Sequence, residues 1–230
     1  MTSLVLLPGL DGTKTFFEPL LATLPGWVQP LVVDYPRSRG TEYGELLTVV
    51  RAAVAETPEF FVLGWSFSGP LALMLADAEP KKVRGVIHSA TFIRSPHQLL
   101  ALLKFVLVGP AVWLWRASRR LPLWLLRPRD DPFRRAKSRT WTQVPAGVIA
   151  ARLRAVLGVD AREALRRCRQ PMLYIASSRD KIVPKENVDE IARLRQSVKV
   201  VTISGQHLAM YTNPQSAAQA IASFIAEQDL

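Results

Sequence analysis

Phe60-Phe-Val-Leu-Gly-Trp-Ser66-Phe-Ser-Gly69-Pro-Leu-Ala-Leu-Met-Leu75 is the stretch that decides the fold. Apolar, β-favouring residues run into Gly64, and good helix formers follow Gly69, so a strand turns sharply into a helix around Ser66. A nucleophile on such a turn needs small residues two positions to either side, because the backbone folds tightly against itself there. Gly64 and Ser68 meet that need; Ser68 departs mildly from the usual glycine. Two other readings stay open on the sequence. Ser68 could be the nucleophile, with Ser66 and Pro70 as its flanks, or Ser66 could merely cap the helix.

A serine hydroxyl needs a base to take its proton and a carboxylate to orient that base. Of the three histidines, His88 ends an apolar run and reads as core, and His97 opens a segment of different character. His207, in Gly205-Gln206-His207 after the last apolar run, can swing over the sheet's carboxyl edge. Asp180, in Ser177-Ser-Arg-Asp-Lys-Ile-Val-Pro184, precedes His207 by 27 residues. The chain order Ser66, Asp180, His207 suits a triad on an alternating α/β fold. Two backbone N–H groups must face the developing oxyanion, and Phe67 N–H and Leu10 N–H, the latter in Pro8-Gly-Leu-Asp-Gly-Thr13, are the candidates. Leu10, Trp65 and Phe67 are the expected substrate-binding residues. The 8–13 turn lacks both the G-K-[ST] ending and the G-x-G-x-x-G spacing of phosphate loops.

Working outward, residues 4–7, 29–33, 60–63, 83–88, 172–176 and 198–203 read as six strands. Residues 16–23, 43–56, 68–78, 145–157, 188–196 and 215–226 read as helices. The expected fold class is α/β, a mainly parallel six-stranded sheet with helices on both faces and an inserted helical cap. Residues 1–92 and 170–230 form the core, and residues 93–169 form the cap. The 98–126 stretch is rich in Leu, Val and Trp, and four of the six tryptophans (Trp113, Trp115, Trp124, Trp141) fall in the cap. Its longest uncharged run, 105–115, has 11 residues and includes Gly109-Pro110, well short of the roughly 20 that a bilayer requires. An apolar lid over a cleft is the reading; packing of the aromatics onto the core is the plainer one.

The chain has 230 residues, 49% apolar and 21% charged, which excludes disorder and a disulfide framework, since Cys168 stands alone. No histidine spacing fits a structural zinc site, so no metal is expected. The N-terminal residues lack a basic region ahead of an apolar one, and a cytoplasmic protein is expected. The net charge of +11 is concentrated: residues 94–169 hold 17 Lys and Arg against four acids, a net +13, and the rest sums to −2. A basic patch confined to one segment argues against a nucleic-acid partner.

Four motifs together resemble the α/β-hydrolase superfamily of serine hydrolases. They are Leu7-Pro-Gly-Leu-Asp-Gly-Thr13, with Pro8 where many members have His; Gly64-Trp-Ser-Phe-Ser-Gly69; Ser178-Arg-Asp-Lys-Ile-Val-Pro184; and Gly205-Gln-His207. The resemblance implies an α/β-hydrolase fold lacking the first two strands, with the cap after the fourth. It also implies ester hydrolysis with no cofactor. A serine nucleophile argues against dehalogenase or epoxide hydrolase chemistry, which similar proteins perform with Asp.

The expected activity is a serine carboxylesterase acting on small to medium acyl esters. A basic, apolar lid also fits an ester or thioester carried by an acidic acyl carrier protein or CoA, as in the similar pimeloyl-carrier methyl esterases. A third reading is a lipase-like enzyme docking on anionic membranes. A non-catalytic binding module is disfavoured, because all three triad side chains and both glycine turns are present.

Overall fold

The computed structural model describes residues 1–38, 42–96, 140 and 143–228. Six strands, β1 (Thr2–Leu7), β2 (Val28–Val32), β3 (Phe60–Trp65), β4 (Val83–Ser89), β5 (Met172–Ser177) and β6 (Lys199–Ile203), form one sheet in the order β2-β1-β3-β4-β5-β6. Every neighbouring pair is parallel. Successive strands therefore need crossovers, and helices supply them: α1 (Glu18–Leu21), α2 (Tyr43–Ala53), α3 (Gly69–Ala78), α4 (Ala146–Gly158), α5 (Arg162–Arg167) and α6 (Lys185–Leu194), while α7 (Ala209–Thr212) and α8 (Pro214–Gln228) follow the last strand.

Side chains alternate across the sheet and build two cores. Val5 and Leu7 of β1 join Phe60 and Val62 of β3 on the face covered by α2, α3 and α5. Leu4 and Leu6 join Phe61 and Leu63 on the opposite face, under Phe17, Leu20, Ile221 and Phe224. All six residues of β3 are buried, which is why its sequence is a continuous apolar run rather than an alternating one. Each fully buried Leu or Phe contributes about 1.5–3 kcal/mol by leaving water.

The six strands fall where the sequence puts them, with ends moved by one or two residues. The first helix opens instead as a 3₁₀ turn, Lys14–Phe17, with Pro19 at the start of α1. Two short helices, α5 and α7, go unforeseen, since six and four residues are too few to display a helical period. The helix expected over 145–157 is α4. Residues 97–139, with His97 and the tryptophans at 113, 115 and 124, lie outside the described residues, as does Trp141. No helix among the described residues is long and apolar enough to cross a membrane.

Ile93 and Arg94 meet Asp160 and Ala161. The Ala161 N–H donates to the Ile93 carbonyl (2.7 Å), and Arg94 and Asp160 form an antiparallel bridge. The Arg94 guanidinium also pairs with Glu190 on α6 at 2.8 Å.

His88 is core, as its sequence position implies. It is fully buried on β4, with Nε2 3.1 Å from the Gly69 carbonyl, and burial pulls its pKa down to about 4 despite that bond. The unfolded chain takes this proton near the ordinary value of about 6.5, so folding stability falls as pH drops from about 6.5 to 4, by about 3 kcal/mol in all. Denaturant titrations across that window should show the wild type losing stability and His88→Asn losing less; parallel pH slopes would refute the assignment.

Candidate active site

The chain reverses within three residues at the end of β3. Ser66 takes a left-handed backbone conformation, φ 52°, uncommon for a residue with a side chain. A 3₁₀ turn, Ser66–Ser68, then leads into α3. The reversal leaves no room for larger residues nearby. A Cβ on Gly64 would lie 2.9 Å from both the Ala72 Cβ and the Gly69 Cα, and would collide with the Ser68 carbonyl; one on Gly69 would overlap the Thr91 side chain. The Thr91 hydroxyl donates to the Ser66 carbonyl, and the Tyr43 hydroxyl donates to the Phe67 carbonyl at 2.8 Å.

Ser66 Oγ lies 2.8 Å from His207 Nε2, and His207 Nδ1 lies 2.9 Å from Asp180 Oδ2. With Nδ1–H given to Asp180, Nε2 is left to accept the Ser66 hydroxyl proton. Asp180 Oδ1 accepts the N–H groups of Ile182 (2.8 Å) and Val183 (2.9 Å). Burial alone would raise the Asp180 carboxyl. The hydrogen bond and charge of His207, with the two N–H groups, outweigh burial and hold it below its ordinary value. Parallel pairing of β5 and β6 sets the two loops side by side, and Arg179 N–H donating to the Gly205 carbonyl (2.9 Å) laces them together.

Ser68 has a different office from the one left open on the sequence. Its side chain is buried, its hydroxyl donates to the Pro8 carbonyl, and the Tyr35 hydroxyl lies 2.6 Å away. It ties the elbow to the turn after β1, while Ser66 alone meets the histidine. The register explains the neighbourhood: Leu7 pairs with Gly64, so the turns after β1 and β3 leave the sheet edge together.

Within the 8–13 turn, the Gly12 N–H donates to the Gly9 carbonyl (2.9 Å), and Gly12 has φ 71°. Asp11 points inward, its Oδ2 accepting from the Thr13 N–H (3.0 Å) and hydroxyl (2.5 Å). Burial raises the Asp11 carboxyl, while the Thr13 bonds and the Arg152 charge work the other way. Leu10 packs against Val144, Val148 and Ile149. Trp65 lies between Phe16 and Phe17, with its ring 6.2 Å from the His207 ring. The Phe67 ring is buried between Tyr35 and stacked Tyr43 (4.8 Å), so only its backbone fits a binding role.

One residue at the site had no reading in the sequence. Arg152 of α4 is fully buried, donating from Nη1 to the Leu10 carbonyl (3.0 Å) and from Nη2 to the Pro36 carbonyl (2.9 Å). Its position amid Val148, Ile149, Ala155 and Val156, on the apolar stripe of the helix, was the available signal. Among the described residues, no three His, Cys, Asp or Glu side chains gather in a way that could hold a metal ion.

The arrangement is that of a hydroxyl with an attached base and a carboxylate behind it. The model of the alpha/beta hydrolase family matches residues 4–220, and the chain belongs to that family. It is 29% identical over 245 residues to the pimeloyl-[acyl-carrier protein] methyl ester esterase of Xanthomonas axonopodis pv. citri, covering 97% of this chain and 95% of that protein. It is 28% identical over 235 residues to the biotin biosynthesis bifunctional protein BioHC of Cellvibrio japonicus, covering 96% of this chain but 47% of that protein, so it spans about half the bifunctional relative's length. An esterase from Exiguobacterium antarcticum shares the fold with a TM-score of 0.83 at 13% identity, covering 98% of this chain and 92% of that one. A hydrolase from Pseudomonas aeruginosa does so at 0.77 and 20%, covering 97% and 89%.

Gly64→Ala tests the tightness of the elbow. The added methyl meets backbone that cannot step aside, so the variant should lose about 3 kcal/mol. Calorimetry should show the melting temperature lower by roughly 6–12 °C; an unchanged melting temperature would refute the packing argument.

Proposed function

We propose that the protein hydrolyses carboxylic esters of small to medium acyl groups through an acyl-enzyme on Ser66. The single observation that supports this most is the continuous hydrogen-bonded chain from Ser66 through His207 to Asp180. His207 Nε2 takes the Ser66 proton as Oγ attacks the ester carbonyl. The Leu10 and Phe67 N–H groups receive the oxyanion, and Asp180 holds the imidazole and its developing charge. Collapse breaks the bond to the alcohol, which leaves with the proton from His207. A water molecule then repeats the sequence in reverse and frees the acid. Leu10 and Trp65 line the acyl site, and the 93–169 segment serves as its cap. The single, buried Cys168 means that the fold needs no disulfide, which fits an enzyme working in the cytoplasm.

Turnover of p-nitrophenyl esters from acetyl to palmitoyl tests this reading. We expect a maximum at short or medium chains, with kcat lowered by about 10⁴-fold or more in Ser66→Ala and by about 10³–10⁴-fold in Asp180→Asn, whose amide favours the wrong imidazole tautomer. An active Ser66→Ala would overturn it.

A second reading is favoured by the relatives named pimeloyl-[acyl-carrier protein] methyl ester esterase, similar over nearly the whole chain. Here the ester is carried by an acidic acyl carrier protein that meets the net +13 of residues 94–169. The rate on a carrier-bound methyl ester at sub-saturating concentration should then fall several-fold as ionic strength rises from about 50 to 200 mM, while that on a free ester holds. A carrier rate indifferent to salt would exclude the reading.

A further inference from the structure

Burying a guanidinium completely costs several kcal/mol of lost hydration unless its surroundings replace the water. Among the described residues, the groups that do so for Arg152 sit on two turns, and they serve its two terminal nitrogens. Leu10 supplies one carbonyl and Pro36 the other, the guanidinium carbon stands 5.4 Å from the Tyr35 ring centre, and the Asp11 carboxylate contributes its charge. The turns are joined to each other by the Tyr35 N–H donating to the Gly12 carbonyl at 2.9 Å. A Cβ at position 12 would lie 2.5 Å from Arg152 Nη1 and 3.0 Å from its Cζ, so the guanidinium fills the space that a side chain there would occupy.

These contacts bear on one particular N–H group. In a trans peptide the N–H points opposite the preceding carbonyl. The Gly9 carbonyl, which accepts from the Gly12 N–H, thus sets the direction of the Leu10 N–H on the other side of the same plane. The next plane carries the Leu10 carbonyl, and Arg152 holds it. Both planes that meet at the Leu10 Cα are pinned, one by Gly12 and the other by Arg152, which also packs against Gly12.

We propose that Arg152 is a positioning residue that fixes the Leu10 N–H toward the oxyanion formed at Ser66. The role rests on the reading, given above, that the Leu10 N–H receives that oxyanion. A side chain on α4 then sets transition-state stabilisation without touching substrate, so its loss is felt in kcat and not in ground-state binding.

The test compares the wild type with Arg152→Met, Arg152→Lys and Ser66→Ala in the full chain. It uses p-nitrophenyl butyrate turnover and inhibition by an alkyl trifluoromethyl ketone. Addition of Ser66 Oγ to that ketone, with the proton passing to His207, makes a tetrahedral oxyanion without a leaving group. Arg152→Met should lower kcat about 10–100-fold and move KM less than about threefold, and ketone affinity should weaken by the same factor as kcat/KM. Arg152→Lys, which keeps the charge but reaches one carbonyl rather than two, should recover part of the loss. A cooperatively folded Arg152→Met with kcat within about twofold of wild type overturns the proposal, as does a fall in kcat with undiminished ketone affinity. Should Arg152→Met fail to fold, Arg152→Lys decides: wild-type values on both readouts overturn the role, and parallel losses support it. An active Ser66→Ala overturns the underlying triad, whereas an inactive Ser66→Ala beside an unimpaired Arg152→Met removes Arg152 alone.

Discussion

The site depends on the distance at which β3 gives way to α3. A strand end and a helix start approach so closely around Ser66 that Gly64 and Gly69 can carry no side chain, and Ser66 itself sits at φ 52°. A residue held in that conformation costs on the order of 1–3 kcal/mol, a strain that persists only where the surroundings over-determine it. Here they do. Thr91 bonds the Ser66 carbonyl, Tyr174 bonds Thr91 in turn, and Tyr43 bonds the Phe67 carbonyl. Two hydroxyls clamp the turn and a third steadies one of them, and the result is an Oγ raised above the sheet edge within reach of a histidine 141 residues away.

What the sequence disclosed followed physical rules about burial. Parallel strands covered on both faces must be continuous apolar runs, which made β3 legible, and the edge strands β2 and β6, more exposed, were still legible through their β-branched residues; with the strands came the loops that bear Ser66, Asp180 and His207. The hidden parts broke those rules. Arg152 interrupts the apolar stripe of α4, and an arginine on a helix ordinarily reads as solvated; only the three-dimensional nearness of two turns turns it inward. Ser68 looked like an imperfect glycine, yet its hydroxyl joins Pro8 and Tyr35 across two loops. Phe67 flanks the nucleophile in the chain while its ring belongs to the core. Short helices such as α5 leave no period to detect.

The positive charge of residues 94–169 also reads differently in three dimensions. Arg152 is wholly inside. Arg94 answers Glu190, Arg162 answers Asp160, and Arg167 answers both Asp77 and Glu163. Part of the basicity therefore holds elements of the chain to one another. Exposed pairs of this kind are worth at most about 1 kcal/mol each, so their use is to fix orientation more than to add stability.

The pairing of Ile93 and Arg94 with Asp160 and Ala161 has an evolutionary consequence. The chain departs from the sheet and comes back at one stitched point, which closes the two ends of the intervening stretch as the ends of a loop are closed. Doubling the length of such a loop adds only about 0.6 kcal/mol of closure entropy. The hydroxyl, imidazole and carboxylate all come from outside the stitch, whereas α4 lies inside it, with Ala155 and Val156 in the core and Arg152 on the Leu10 carbonyl, so exchange of sequence there spares the site only where α4 is kept. The molecule thus keeps its reaction centre under strict steric control at the elbow, and binds the chain between β4 and β5 to it at two places, the stitch and α4.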